Sequence, residues 1–301
     1  MELKQLNSFI KVAELLNFSA AAKALYITQS TLSQQIQQLE QERDVQLFQR
    51  NSHSVSLTES GEELLPFALQ TLHCADTCKS RMNDLKALLT GTLNIGATHT
   101  FSPILTETLL NFMKQYPKVK LNIHYKSMEE LMNLLEKNKV DLVLAFKPSQ
   151  EYRGVESRIL FHNHLAAIVN NHHPLASKST VTLTELEKYD IALPAKGMQA
   201  RNALEQLIAH YNPPFRVRLE LNEVHILLKL IKQSNLVTIL SEATIHDEQG
   251  IKAIPIEIPG SDMEGCVHLL KNNYHKRSAL EFIRLLSDSN AIRNRIRDWF
   301  I

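Results

Sequence analysis

NFSAAAKALYITQSTLSQQIQQLEQ, residues 17–41, contains two helices and the turn between them. Ser19 stands where an N-cap would open a short alanine-rich helix, Ala20 to Leu25. Tyr26-Ile27 makes a tight connection, and Thr28 caps a further helix from Gln29 to about Glu42, with Leu32, Ile36 and Leu39 along one stripe. Upstream, Leu3, Leu6, Phe9, Ile10, Ala13 and Leu16 share one helical face. Three helices in this order predict a helix-turn-helix unit. Downstream, Val45 to Leu57 alternates as a β-hairpin would, with Arg50-Asn51-Ser52-His53 at its tip. The outward side of the third helix carries Gln29, Ser30, Thr31, Ser33, Gln34, Gln37 and Gln38, without a charge until Glu40. Such a face is either an ordinary solvated one or one that meets base edges and phosphates.

Composition narrows the remaining choices. The chain has 301 residues, 44% of them hydrophobic, enough to fill more than one core. No apolar run is long enough to span a bilayer (Leu165 to Val169 is short), and Met1-Glu2-Leu3-Lys4-Gln5 lacks the features of a secretion signal. Three cysteines, Cys74, Cys78 and Cys266, do not make a disulfide framework. The expected setting is therefore the cytoplasm, with no membrane partner. Eight glycines include no Walker A loop, no G-x-G-x-x-G and no nucleophile elbow, and neither H-E-x-x-H nor C-x-x-C occurs. Residues 1–90 hold eight Lys/Arg against ten Asp/Glu, so charge alone does not point to nucleic acid.

The spacing of particular residues says more. Leu3-x-x-Leu6-x-x-Phe9-x-x-Val12-Ala13 is followed by Phe18-Ser19-x-Ala21-Ala22-x-x-Leu25 and by Thr28-Gln29-Ser30-Thr31-Leu32-Ser33-x-x-Ile36-x-x-Leu39-Glu40. Leu47-Phe48-x-Arg50 and Leu57-Thr58-x-x-Gly61 complete a pattern that resembles the winged helix-turn-helix of LysR-type transcriptional regulators. The resemblance implies DNA contacts from Phe18, Ser19, Gln29, Ser30, Thr31, Ser33, Gln34, Gln37, Arg50 and His53. Gln34, His53 and Ser56 stand where family members usually carry Arg or Lys, so a shallow salt dependence of DNA binding is expected.

From Glu59 to about Leu89 a long helix is expected, capped by Thr58 and bent near Pro66. Its apolar seam, Leu64, Leu65, Ala68, Leu72 and Ala75, is most simply explained by pairing with a second copy. The family implies the same dimer, and a tetramer beyond it. After Gly91 strands and helices alternate, the pattern of an α/β sheet. Strands are expected at Thr92 to Ala97, Val119 to Tyr125, Val140 to Phe146, Arg158 to Val169, Tyr189 to Leu193, Phe215 to Leu221, Leu236 to Leu240 and Cys266 to Leu270. Ser127 to Glu130 is a capping box, and a last helix is expected over Ser278 to Trp299.

The expected architecture is α/β. It comprises a winged helix-turn-helix over 1–58, a linker helix over 59–90, and a two-lobed periplasmic-binding-protein-like effector domain over 91–301. Lobe I would take about 91–157 and 265–301, and lobe II about 158–264. Ligands of two-lobed domains sit where loops meet helix N-termini. The candidate effector residues are Thr98, Thr100, Phe101, Ser102, Phe146, Lys147, Lys196, Met198 and Gln199, a setting suited to a small anion.

His73, Cys74 and Cys78 lack the further ligands of a zinc site, and His162, His164, His172 and His173 are expected on the surface. No metal, cofactor or catalytic constellation is expected, and the chain is not expected to be an enzyme. The function implied is regulation of transcription at promoter DNA in response to a small effector, with the transcription machinery as a further partner. The alternatives are an architectural DNA-binding protein without effector, and a solute-binding protein or enzyme on the two-lobed fold.

Overall fold

The computed structural model describes residues 1–51, 54–85, 89–148, 150–209, 211, 213–246, 248–289 and 292. His53 and the residues after 292 lie outside these, and so does the end of the expected C-terminal helix. The chain forms two compact units, Met1–Ala87 and Leu88–Ile301.

In the first unit, helices α1 (Leu3–Leu15), α2 (Phe18–Ala24) and α3 (Gln29–Gln41) precede a hairpin of β1 (Phe48–Arg50) and β2 (Val55–Leu57), and α4 (Glu59–Leu85) follows. Leu16 ends α1 in the left-handed conformation, its N–H bonded to the Val12 carbonyl. The cap of α2 is Asn17, whose side chain accepts the Ala20 N–H, and not Ser19 as expected. The helix therefore starts at Phe18 and buries that ring. Thr28 caps α3 as expected, accepting the Thr31 N–H at 3.2 Å. Leu6, Phe9, Val12, Ala21, Leu32, Ile36, Leu39 and Phe48 form one buried core.

Ala68 of α4 belongs to that same core, with Leu64, Leu65 and Leu72 packed against it. Much of the seam expected to face a second copy is thus engaged within the chain. The periodicity marks the face that packs on α1, on which Ala68 is buried while Leu64, Leu65 and Leu72 are half-buried. Outward on α4 are Phe67, Cys74, Cys78 and Met82. Pro66 lies inside the helix, and Gly61 is required because a Cβ there would run into the Leu47 carbonyl.

The second unit contains β3 (Gly91–Ala97), α5 (Ser102–Gln115), β4 (Val119–Tyr125), α6 (Met128–Glu136), β5 (Leu142–Phe146) and β6 (Val155–Asn170). Next come α7 (Leu183–Leu186), β7 (Asp190–Pro194), α8 (Gln199–Ile208), β8 (Arg216–Leu221), α9 (Val224–Lys232), β9 (Thr238–Ser241), β10 (Ile251–Pro255), β11 (Asp262–Leu270) and α10 (Arg277–Ser287). Among the described residues the order β4-β3-β5-β11-β6 makes one sheet, parallel through β4-β3-β5 and antiparallel from there. β6 is long enough to serve two sheets. Up to His164 it pairs with β11, and from Leu165 it pairs with β9 on one side and, from Ala166, with β10 on the other. β7 pairs with β8 in parallel, and an Ile191–Val237 bridge joins them to the second sheet.

Two lobes therefore exchange the chain within β6, later than the 158 expected, and again between β10 and β11. β10 has no counterpart in the expected strands. The capping box of α6 forms as expected, with Ser127 and Glu130 reciprocally bonded. His173, expected on the surface, is buried: its Nδ1 accepts the Leu175 N–H at 3.1 Å and its ring meets Tyr189.

Candidate nucleic-acid interface and ligand cleft

The face of α3 is ordered by hydroxyls before any ligand arrives. Thr28 Oγ1 lies 2.9 Å from Ser30 Oγ and 2.8 Å from Thr31 Oγ1. Ser19 Oγ donates to Gln29 Oε1 at 2.7 Å, tying α2 to the first turn of α3. The glutamines then divide. Gln35 takes a hydrogen bond from buried Ser8, and Gln38, itself still exposed, takes one from buried Gln5 at 3.4 Å, so both are bonded to α1. Gln29, Gln34 and Gln37 remain exposed, with Ser33 half-buried beside them. The sequence alone could not separate these two sets, because their partners lie on another helix.

Arg50, in β1, is held on two sides. Its guanidinium carbon sits 4.4 Å above the centre of the Phe18 ring, and its Nη2 lies 3.5 Å from Glu40 Oε2. Phe18, one of the expected DNA contacts, is instead a core residue on which Arg50 rests. A groove of about 640 Å³ between α3 and the wing is lined by Ser33, Gln37, Glu40 and Arg50, among others. Glu40 reads in the sequence only as the first charge on the outward face of the third helix; its partners on the wing leave no signal there.

The second unit carries a cleft of about 650 Å³ between its lobes. Lobe I supplies Ser127, Phe146, Lys147, Tyr152 and Arg153, and lobe II supplies Gly197, Gln199 and Asn202. Gln199 spans it. The Phe146 N–H donates to Gln199 Oε1 at 3.1 Å, and Gln199 Nε2 donates to the Phe146 carbonyl at 2.9 Å. Behind Gln199, buried Arg201 fastens α8 in lobe II, donating to Glu205 (2.8 Å), Glu220 (2.7 Å) and the Pro194 carbonyl (3.2 Å). Asn202 Oδ1 accepts the Gly197 N–H at 3.2 Å, shaping the preceding loop. Met198, the N-cap of α8, supplies no side-chain acceptor.

Of the expected effector residues, the cleft brings together Phe146, Lys147 and Gln199. Lys147 pairs with Glu264 at 2.7 Å, and that carboxylate holds its ammonium above the usual lysine range. Phe101 is buried against Phe146 and Phe161, and Thr98 is buried with its hydroxyl unbonded. Thr100, Ser102 and Met198 are half-buried and Lys196 is exposed, and none of them lines the cleft. Tyr152, Arg153 and Asn202 were not anticipated; Tyr152 and Arg153 follow closely on the Phe146-Lys147 strand end, which was the available signal. Among the described residues no group of three or more His, Cys, Asp or Glu could hold a metal ion.

Residues 3–62 match the model of bacterial regulatory helix-turn-helix proteins of the lysR family, and residues 86–291 match that of the LysR substrate binding domain. The chain belongs to the LysR family of transcriptional regulators. The HTH-type transcriptional regulator YnfL of Escherichia coli K12 is 35% identical over 190 residues, 62% of this chain and 64% of that one. A full-length OxyR variant from Pseudomonas aeruginosa has the same fold, with a TM-score of 0.72 at 21% identity, covering 97% of this chain and 95% of that one. CbnR, in a complex with its target DNA, gives 0.66 at 20% identity over 98% of this chain and 100% of that one. This LysR-type regulator thus binds promoter DNA through its N-terminal unit and carries an effector-binding domain after it. No helix among the described residues is long and apolar enough to cross a membrane.

Proposed function

We propose that this LysR-type regulator reads its operator with Gln34, Gln37 and Ser33 of α3 and places Arg50 against a phosphate. The exposed, uncharged face of α3 beside an anchored Arg50 carries this reading. A glutamine side chain can pair bidentately with adenine, and a guanidinium suits phosphate. Ser30, Thr31 and Ser19 order the first turn of α3, and Gln29 meets DNA from there. The test is selection of duplexes from a random pool by the full-length protein, followed by binding of the best duplex. Gln34→Ala and Gln37→Ala should each lose about 1–3 kcal/mol of discrimination at one base pair. Arg50→Ala should weaken binding of the selected duplex and make its salt slope shallower by about 0.9.

The interlobe cleft takes a small effector, and an anion suits it best. Arg153 and Lys147 stand on the lobe I side, and the first turn of α8 faces them without a side-chain cap. Binding there competes with the Gln199–Phe146 pair and shifts the relation of the two lobes. The protein works in the cytoplasm as a homo-oligomer and catalyses no reaction of its own. Self-association uses the outward face of α4 that holds Phe67 and Met82. A thermal-shift screen of small carboxylates and phosphates on the full chain tests the cleft. Hits that Arg153→Ala and Gln199→Ala leave unchanged would move the effector elsewhere.

A further inference from the structure

Glu40 is the residue through which the recognition helix and the wing are joined. Its Oε1 accepts two backbone N–H groups at the start of β1, those of Leu47 (2.8 Å) and Phe48 (3.3 Å). Its Oε2 faces Arg50 Nη2 at 3.5 Å. The Glu40 side chain is 15% exposed and that of Arg50 42%, so the carboxylate is sheltered while the guanidinium stays open to a phosphate. The Phe18 ring closes the other side of Arg50, and Phe18 itself packs edge-on against Phe48 at 5.7 Å. α2, α3 and β1 therefore all act on one cation. Asp44 shares the groove with Glu40, so the passage beside Arg50 has a negative wall.

We propose that Glu40 is a specificity-determining positioning residue for DNA binding. It holds Arg50 at a fixed height above Phe18, and its own charge repels phosphates that arrive out of register. This rests on the reading of α3 and the wing as the DNA-contacting face. A duplex in register offers its phosphate to the open side of the guanidinium and gains the full charge-assisted bond. A duplex out of register meets the carboxylate as well, with the Coulomb term reversed. The fixed pairing also keeps Arg50 from reaching phosphates indiscriminately, as an unrestrained surface arginine would. α3 itself carries no Lys or Arg, so the constraint on this neighbouring cation is correspondingly important.

Glu40→Gln separates the two roles of the side chain. The amide oxygen still accepts the Leu47 and Phe48 N–H groups, whereas the charge on Arg50 is no longer balanced. With the full-length protein, a selected duplex and a random duplex of equal length, affinity for the random duplex should rise about two- to fivefold. The slope of log affinity against log salt should steepen by about 0.9 for that duplex. Affinity for the selected duplex should change little, so the ratio between them falls. In an Arg50→Met background, Glu40→Gln should have a much smaller effect on the random duplex and none on the selected one. Only the carboxylate's own repulsion is then removed, and the larger part of its action passes through the guanidinium. An unchanged ratio, or the same change in both backgrounds, would overturn the proposal. So would a Glu40→Gln protein that loses its helical circular dichroism, since the wing hydrogen bonds are retained. Failure of the wild type to select any duplex would instead refute the DNA-contact assignment itself.

Discussion

Gln199 and the Phe146 peptide, 53 positions apart, form a closed pair of hydrogen bonds across the cleft, each serving as donor and acceptor to the other. A side-chain amide thus takes the place that a neighbouring strand would take at the end of β5. Because Arg201 anchors α8 in lobe II, the pair ties one lobe to the other. Gln199→Ala should cost about 1–2 kcal/mol, lowering the midpoint of thermal unfolding by a few degrees. Hydrogen exchange at the Phe146 amide should accelerate at the same time. Exchange at that amide equal to wild type would show that the pair does not hold the lobes.

His268 makes the effector domain sensitive to acid. It is wholly buried in β11, bonded through Nδ1 to Ser157 Oγ (2.8 Å) and through Nε2 to the Ala145 carbonyl (3.3 Å). Burial pushes its pKa down to about 4, against about 6.5 in an unfolded chain. Between these values the unfolded state binds the extra proton, so stability is complete above about pH 6.5 and falls as pH drops toward 4. The loss from this group reaches about 3 kcal/mol. His173 and His275, also lowered chiefly by burial, act in the same direction. Denaturant titrations at pH 7 and pH 5 should show a smaller difference for His268→Gln than for the wild type. An identical difference would assign the acid sensitivity to other groups.

The start of α2 distinguishes Asn17 from Ser19. Asn17 caps the helix, whereas Ser19 bonds Gln29 across the turn. Asn17→Ala should destabilise the protein by about 1 kcal/mol. Ser19→Ala should leave the thermal midpoint nearly unchanged while altering DNA discrimination through a freed Gln29. Equal losses of stability from both variants would contradict this division.

Two neighbours on α4 should behave in opposite ways. Ala68 is 1% exposed and sits in the helix-turn-helix core, whereas Phe67 is 62% exposed. Ala68→Asp places a charge in that core and should abolish folding of the N-terminal unit. Phe67→Asp should leave circular dichroism intact and lower self-association in sedimentation. An unaltered oligomer in Phe67→Asp would locate the contact on another face.

What the amino-acid sequence determined by itself is local. Thr28 caps α3, Ser127 and Glu130 frame α6, and the stripe Leu32, Ile36, Leu39 turns one side of α3 inward, because caps and periodicity depend on residues a few positions apart. The spaced motifs from Leu3 to Gly61 and the strand–helix alternation after Gly91 were legible for the same reason. Periodicity states that a face is buried and leaves open what buries it. Leu64, Leu65, Ala68 and Leu72 accordingly read as a seam between chains, and only the packing of α4 on α1 placed Ala68 in the chain's own core, with the three leucines half-buried against it. The tertiary structure likewise decided that Gln35 and Gln38 bond to α1 while Gln34 and Gln37 face outward. It decided that β6 serves two sheets and that His173 is buried. The meetings of Glu40 with Arg50 and of Gln199 with Phe146 also depend on it, since hydrogen bonds between separate elements leave no spacing in the sequence.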